Sequence, residues 1–144
     1  MKFLSFQKKD LFWLGLTIVL IIFDQLVKYG VVRAGWSIFY NNQFAFSLPV
    51  PTVVIFLIYA IILLGISFYI YSAWQRLSTQ QKLAWSLVLA GGLSNIGERI
   101  LFGRVIDFIY VASGVLNIAD FYILFGLLLL VVSTRRNKNE EIIS

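Results

Sequence analysis

The sequence predicts an all-α membrane protein, with four transmembrane helices in a single domain over residues 1–144 and a small extended cradle at one end. Three observations predict it. Hydrophobic residues make up 60% of the 144 and charged residues only 13%, against about 45–50% and about 25% in soluble domains. The apolar residues fall into four runs, each close to the ~20 residues that a helix needs to cross a bilayer. The acids that interrupt those runs gather toward one end.

The first run covers about 11–32, behind Lys2, Lys8 and Lys9. That basic flank resembles the start of a secretory signal peptide, but the run is longer than a signal core and carries Asp24 and Lys28, so it reads as a retained helix. Residues 33–51 contain Asn41, Asn42, Pro49 and Pro51 and cannot form one continuous helix. The second run, about 52–73, has no charge. The third, about 83–102, ends in Asn95, Glu98 and Arg99, with Gly91 and Gly92 one turn earlier, where small residues let another helix approach closely. Residues 105–111 are β-branched and aromatic and prefer an extended conformation, with Gly103 and Gly114 punctuating the ends. The fourth run covers about 116–133 and opens with Asn117 and Asp120, close to a capping box. Non-helical backbone at bilayer depth needs protein or water around it. A small cradle over a water-filled cavity is therefore expected.

Lysine and arginine set the orientation. Lys2, Lys8, Lys9, Arg76, Lys82, Arg135, Arg136 and Lys138 fall on one side, and Lys28, Arg33, Arg99 and Arg104 on the other. The richer side is expected to be cytoplasmic, with both termini in and the cradle out. The net charge of +5 is thus a topology signal, and no nucleic-acid partner is expected.

With no cysteine and no histidine, thiolate chemistry, disulfides and every Ser–His arrangement are excluded. Acid–base work falls to Asp, Glu, Lys or Tyr. Of seven acids, Asp10, Glu140 and Glu141 lie in tails and ask for no explanation. Asp24, Glu98, Asp107 and Asp120 map to the outer half of the bundle, and a carboxylate at a helix centre costs about 2.5–3.5 kcal/mol on insertion scales. Asp24 and Lys28 share one face of the first helix; they form either a local ion pair with Lys28 reaching for the interface or part of a site. Arg99 either suits a helix C-terminus or pairs with an outer carboxylate. Asp107, in an apolar extended run, has no capping role. Facing Asp120 across a cavity, it would share one proton with it, the arrangement of an aspartic protease. A small proton-coupled transporter using Asp24 is the alternative, and a non-catalytic assembly subunit a third reading.

Five segments in order resemble the lipoprotein signal peptidase (signal peptidase II) family over nearly the whole chain. They are Asp24-Gln25-Leu26-Val27-Lys28, the stretch from Asn41 to Ser47, the stretch from Gly91 to Arg99, Val105-Ile106-Asp107-Phe108-Ile109, and Asn117-Ile118-Ala119-Asp120. The resemblance implies a multi-pass aspartic endopeptidase of the bacterial plasma membrane. It would cleave diacylglyceryl-modified prolipoproteins just before the lipidated cysteine, with no metal or organic cofactor. By the same resemblance Asp107 and Asp120 form the dyad, Asn95 and Asn117 orient it, Arg99 supports it, and Asp24, Lys28 and Asn41 line it. Globomycin-like peptides are expected inhibitors, and a monomer is expected. The chain departs from the pattern at Gln43, Glu98 and Leu116, where the family usually has Gly, Asp and Phe, and its outer segment after the first helix is short.

Overall fold

A computed structural model describes residues 8–42, 52–112 and 114–143. Four long helices run in the order α1 (Lys8–Arg33), α2 (Thr52–Ala73), α3 (Thr79–Phe102) and α4 (Ile118–Ile143). Four short strands, β1 (Phe39–Asn41), β2 (Val105–Asp107), β3 (Ile109–Val111) and β4 (Gly114–Leu116), lie in the connections α1–α2 and α3–α4.

The second helix has the bounds expected from its apolar run. The first begins three residues earlier than expected and the third four residues earlier. The α3 start is set by Ser78, whose Oγ accepts the Gln81 N–H at 3.3 Å while Gln81 Oε1 accepts the Ser78 N–H at 3.0 Å, a reciprocal capping box. Its end is set by Gly103, at φ 69°, whose N–H donates to the Arg99 carbonyl. The fourth helix starts after Asn117 and continues past Ser133 to Ile143, because a polar tail rich in Arg, Lys and Glu keeps good helix propensity after the apolar run ends.

Among the described residues, three helices are long and apolar enough to cross a membrane, in α1, α2 and α4. The expectation of four spans is thus met by composition in only three. The remaining helix, α3, has 24 residues but buries Ser86, Ser94 and Glu98. It is the hub: α1 and α4 pack on it, while α2 packs little against any other helix. No residue from Leu57 to Arg76, in α2 and the turn after it, is buried, and Phe68 is 74% exposed. That apolar exterior is the inverse of a soluble domain and suits lipid.

Small residues set the α3–α4 approach. A side-chain carbon at Gly91 would meet the Ala119 carbonyl and Ile123, and one at Gly126 would meet the Ala84 carbonyl and Val88. Gly92, expected to share this role, has open space around it.

The cradle consists of two antiparallel ribbons. Phe39 pairs with Asp107 and Asn41 with Val105, and Ile109 pairs with Leu116. The extended run of 105–111 is therefore present, broken at Phe108, whose N–H donates to the Leu116 carbonyl. Both ribbons lie at the end of the bundle where α1 and α3 finish and α4 begins, here called the strand end.

Candidate active site

Asn117 caps α4, and the cap doubles as a junction. Its Oδ1 accepts the Asp120 N–H at 3.1 Å, and its own N–H donates to Asp120 Oδ2 at 2.9 Å. Its Nδ2 donates to Asp107 Oδ1 at 2.6 Å and to Asn95 Oδ1 at 3.2 Å. Both Asp107 and Asp120 are therefore bonded to one asparagine, and the capping bonds between Asn117 and Asp120 coexist with the bond from Asn117 to Asp107.

Two further amides complete the set. Asn95 Nδ2 donates to Asp120 Oδ1 at 3.0 Å, and Asn41 Nδ2 donates to Asp107 Oδ2 at 3.0 Å. Each oxygen of the two carboxylates thus accepts one hydrogen bond from a neutral donor, which leaves a second lone pair on each. Asp107 is buried and Asp120 half-buried. The elements place them from opposite directions. Asp107 ends β2, held in register by β1, and Asp120 lies in the first turn of α4.

A second layer holds Asn95 and the adjoining helix ends. Lys28 Nζ lies 2.9 Å from Asp24 Oδ2 and 3.0 Å from Glu98 Oε2, and donates to Asn95 Oδ1 at 3.1 Å. Only 1% of Lys28 is exposed, so it turns into the bundle instead of reaching for the interface. Asn95 accepts from the ammonium through its oxygen, which leaves its NH2 to face Asp120. Asp24 accepts from Ser94 Oγ at 2.6 Å and from the Ala119 N–H at 3.0 Å. One carboxylate on α1 thereby grips both α3 and the start of α4. Engagement with those donors and with Lys28 ties the proton carrier of the transport alternative into the scaffold.

Arg99 points toward α2, with its guanidinium 5.9 Å from the Tyr59 ring centroid; Lys28, and not Arg99, is the cation seen between the buried carboxylates. Residue 43 lies outside the described residues. Leu116 belongs to β4. The residues not foreseen are Ser94 and Gln25, whose Nε2 donates to Ser94 Oγ at 2.8 Å. The only trace of Ser94 is its i,i+4 spacing to Glu98 on α3, matching Asp24 and Lys28 on α1, and it becomes readable once those two helices are known to face each other.

Asp10 is a correction. It is not an unremarkable tail acid but is 1% exposed, accepting the Trp74 indole N–H at 2.7 Å, with Lys82 Nζ at 3.9 Å. It lines a cavity of about 310 Å³ between α1, α2 and α3, at the opposite end from the strands. Among the described residues, no cluster of His, Cys, Asp or Glu could hold a metal ion.

The model of the signal peptidase (SPase) II family matches residues 16–136. The chain belongs to the signal peptidase II family. The lipoprotein signal peptidase of Streptococcus pyogenes serotype M5 (strain Manfredo) is 30% identical, with 88% of this chain and 93% of the relative covered. That of serotype M3 (strain ATCC BAA-595 / MGAS315) is 29% identical over the same shares. In fold, the chain is similar to a bacterial membrane enzyme solved by the in meso method at 2.3 Å, with a TM-score of 0.73, 23% identity, and 89% and 90% of the two chains covered. A second such structure, at 1.9 Å, gives a TM-score of 0.72 and 24% identity, covering 85% and 91%. Membership in the signal peptidase II family makes the chain a protease with apolar membrane helices.

Proposed function

We propose that this signal peptidase II family member is an intramembrane aspartic endopeptidase that removes the signal peptide from diacylglyceryl-modified prolipoproteins, cutting just before the lipidated cysteine. The observation that supports this reading most is the bonding of Asp107 and Asp120 to the one Asn117. Two carboxyl groups so placed work as one acid and one carboxylate, because like charges at close range do not ionise together. The carboxylate takes a proton from water, whose oxygen attacks the scissile carbonyl carbon. The carboxylic acid gives its proton to the carbonyl oxygen, forming a neutral tetrahedral diol. The diol then collapses: one hydroxyl gives its proton to the carboxylate that is now ionised as the C=O re-forms, the C–N bond breaks, and the leaving nitrogen takes the proton held by the other carboxyl group, which restores the dyad to one proton.

Asn95, Asn117 and Asn41 hold the two carboxyl groups in this reading, Lys28 holds Asn95, Asp24 holds Ser94 and the start of α4, and Arg99 supports the site from the α2 side. All four helices span the membrane, α3 included, since its polar residues turn to α1 and α4 rather than to lipid. Both termini face the cytoplasm and the strand end faces out, where the lipidated precursor presents its cleavage site. The enzyme works as a monomer without metal or cofactor, and globomycin-like peptides compete with substrate.

The test is cleavage by the purified full chain in detergent of one precursor in two forms, diacylglyceryl-modified and unmodified. Release of signal peptide from the modified form alone is expected. No cleavage of either form, or equal cleavage of both, contradicts the reading.

A further inference from the structure

Glu98 carries no role in the chemistry above, yet it makes a connection that nothing else in the site makes. Its Oε2 accepts from Lys28 Nζ at 3.0 Å and from the backbone N–H of Ile106 at 3.2 Å. Ile106 is the residue before Asp107 in β2. In a two-stranded ribbon one edge of β2 pairs with β1, where Ile106 stands opposite Tyr40; the other edge has no strand. Glu98 supplies the acceptor for this amide. Being 3% exposed, it makes a charge-assisted bond away from water, stronger than a neutral one.

We propose that Glu98 is a positioning residue: it moors β2, and through it Asp107, to the buried Lys28 ammonium. The inference rests on reading Asp107 as one half of the dyad. It also gives a physical reason for the departure of this chain at Glu98, where the resembled family usually has Asp. An aspartate at 98 would draw the carboxylate back toward α3 by one carbon–carbon bond, about 1.5 Å. From there it could keep Lys28, whose stem is flexible, but not the fixed amide of Ile106. The extra methylene of Glu98 spans that gap.

Three variants of the purified full chain test this, Glu98→Asp, Glu98→Gln and Glu98→Asp with Lys28→Arg. Each is assayed for kcat and KM on diacylglyceryl-modified prolipoprotein, and its Ile106 amide is followed by 1H–15N NMR in micelles. Glu98→Asp is expected to lower kcat by about tenfold to a hundredfold, the range set by one hydrogen bond to a charged group, with KM little changed and the Ile106 resonance shifted. Glu98→Gln keeps the reach and loses the charge, so its kcat falls between the two. Adding Lys28→Arg lengthens the cation's reach but brings the carboxylate no nearer to the strand, so kcat stays low. Wild-type kcat in Glu98→Asp, recovery on adding Lys28→Arg, or an unmoved Ile106 resonance overturns the proposal. If Glu98→Asp does not fold, Glu98→Gln decides by the same two readouts. If the wild type does not cleave the precursor at all, the dyad reading fails separately, and the Ile106 resonance alone decides whether the mooring exists.

Discussion

The two ends of the helix bundle both bury a carboxylate beside a lysine, and they use it differently. At the end away from the strands, Asp10 accepts one indole N–H and lies 3.9 Å from Lys82, whose ammonium sits 4.7 Å over the Trp74 ring. These contacts tie the start of α1 to the turn between α2 and α3. At the strand end, Asp24, Lys28, Ser94, Asn95, Glu98, Asp107, Asn117 and Asp120 form one connected network. There each charge is held by a partner that itself holds another group, and the chain of partners ends on two carboxylates contacted by neutral amides. The difference lies in connectivity more than in burial. Asp10 fastens the start of α1 to Trp74 and Lys82, whereas Asp107 and Asp120 stand at the end of a shared network that orients them.

Substitutions at each end test whether the two carboxylate sites differ in this way. The largest effect is expected at the terminus of the network: Asp107→Asn and Asp120→Asn each lower kcat by about 100-fold to 10,000-fold or more, with thermal unfolding close to that of the wild type, as measured by signal-peptide release and by melting in detergent. Next is Lys28→Met. It leaves Asp24 and Glu98 without their shared cation, a loss of about 3–5 kcal/mol for a broken buried pair, read as a lowered melting temperature together with lost cleavage.

Gly91→Ala comes third. Its methyl group would collide with the Ala119 carbonyl, pushing the start of α4 and hence Asp120 away from α3. Overpacking of this kind costs about 1–3 kcal/mol, and a parallel fall in kcat separates displacement of Asp120 from simple destabilisation. The smallest effect is expected from Asp10→Asn. It keeps an oxygen for the Trp74 N–H, so a stability loss of about 1 kcal/mol with unchanged turnover is expected. If Asp10→Asn abolished cleavage while Lys28→Met did not, the functional contrast between the two ends would be reversed.

The sequence makes some of this legible and hides the rest for physical reasons. Apolar runs announce α1, α2 and α4 because lipid removes the need for a polar face. The extended path from 105 to 111 is legible because β-branched and aromatic residues suit it. Asp107 stands out there as an acid with no local use. Asp10 is not legible: one turn into a helix it looks interfacial, and its partner Trp74 comes 64 positions later. The inward turn of Lys28 is hidden for the same reason, since the i,i+4 pair with Asp24 is visible but Glu98 lies 70 positions away. Ser94 and Gln25 escape notice because a lone hydroxyl or amide in an apolar helix carries no strong signal until the facing helix is known. The limited span character of α3 follows from its polar positions, which are the positions that build the site.

The most direct measurement is the turnover of the doubly substituted Asp107→Asn, Asp120→Asn chain beside each single variant, on the same lipidated precursor. Two carboxyl groups that act as one unit predict that the double variant is no slower than either single one. Losses that multiply, or a single variant that keeps wild-type turnover, would contradict a dyad.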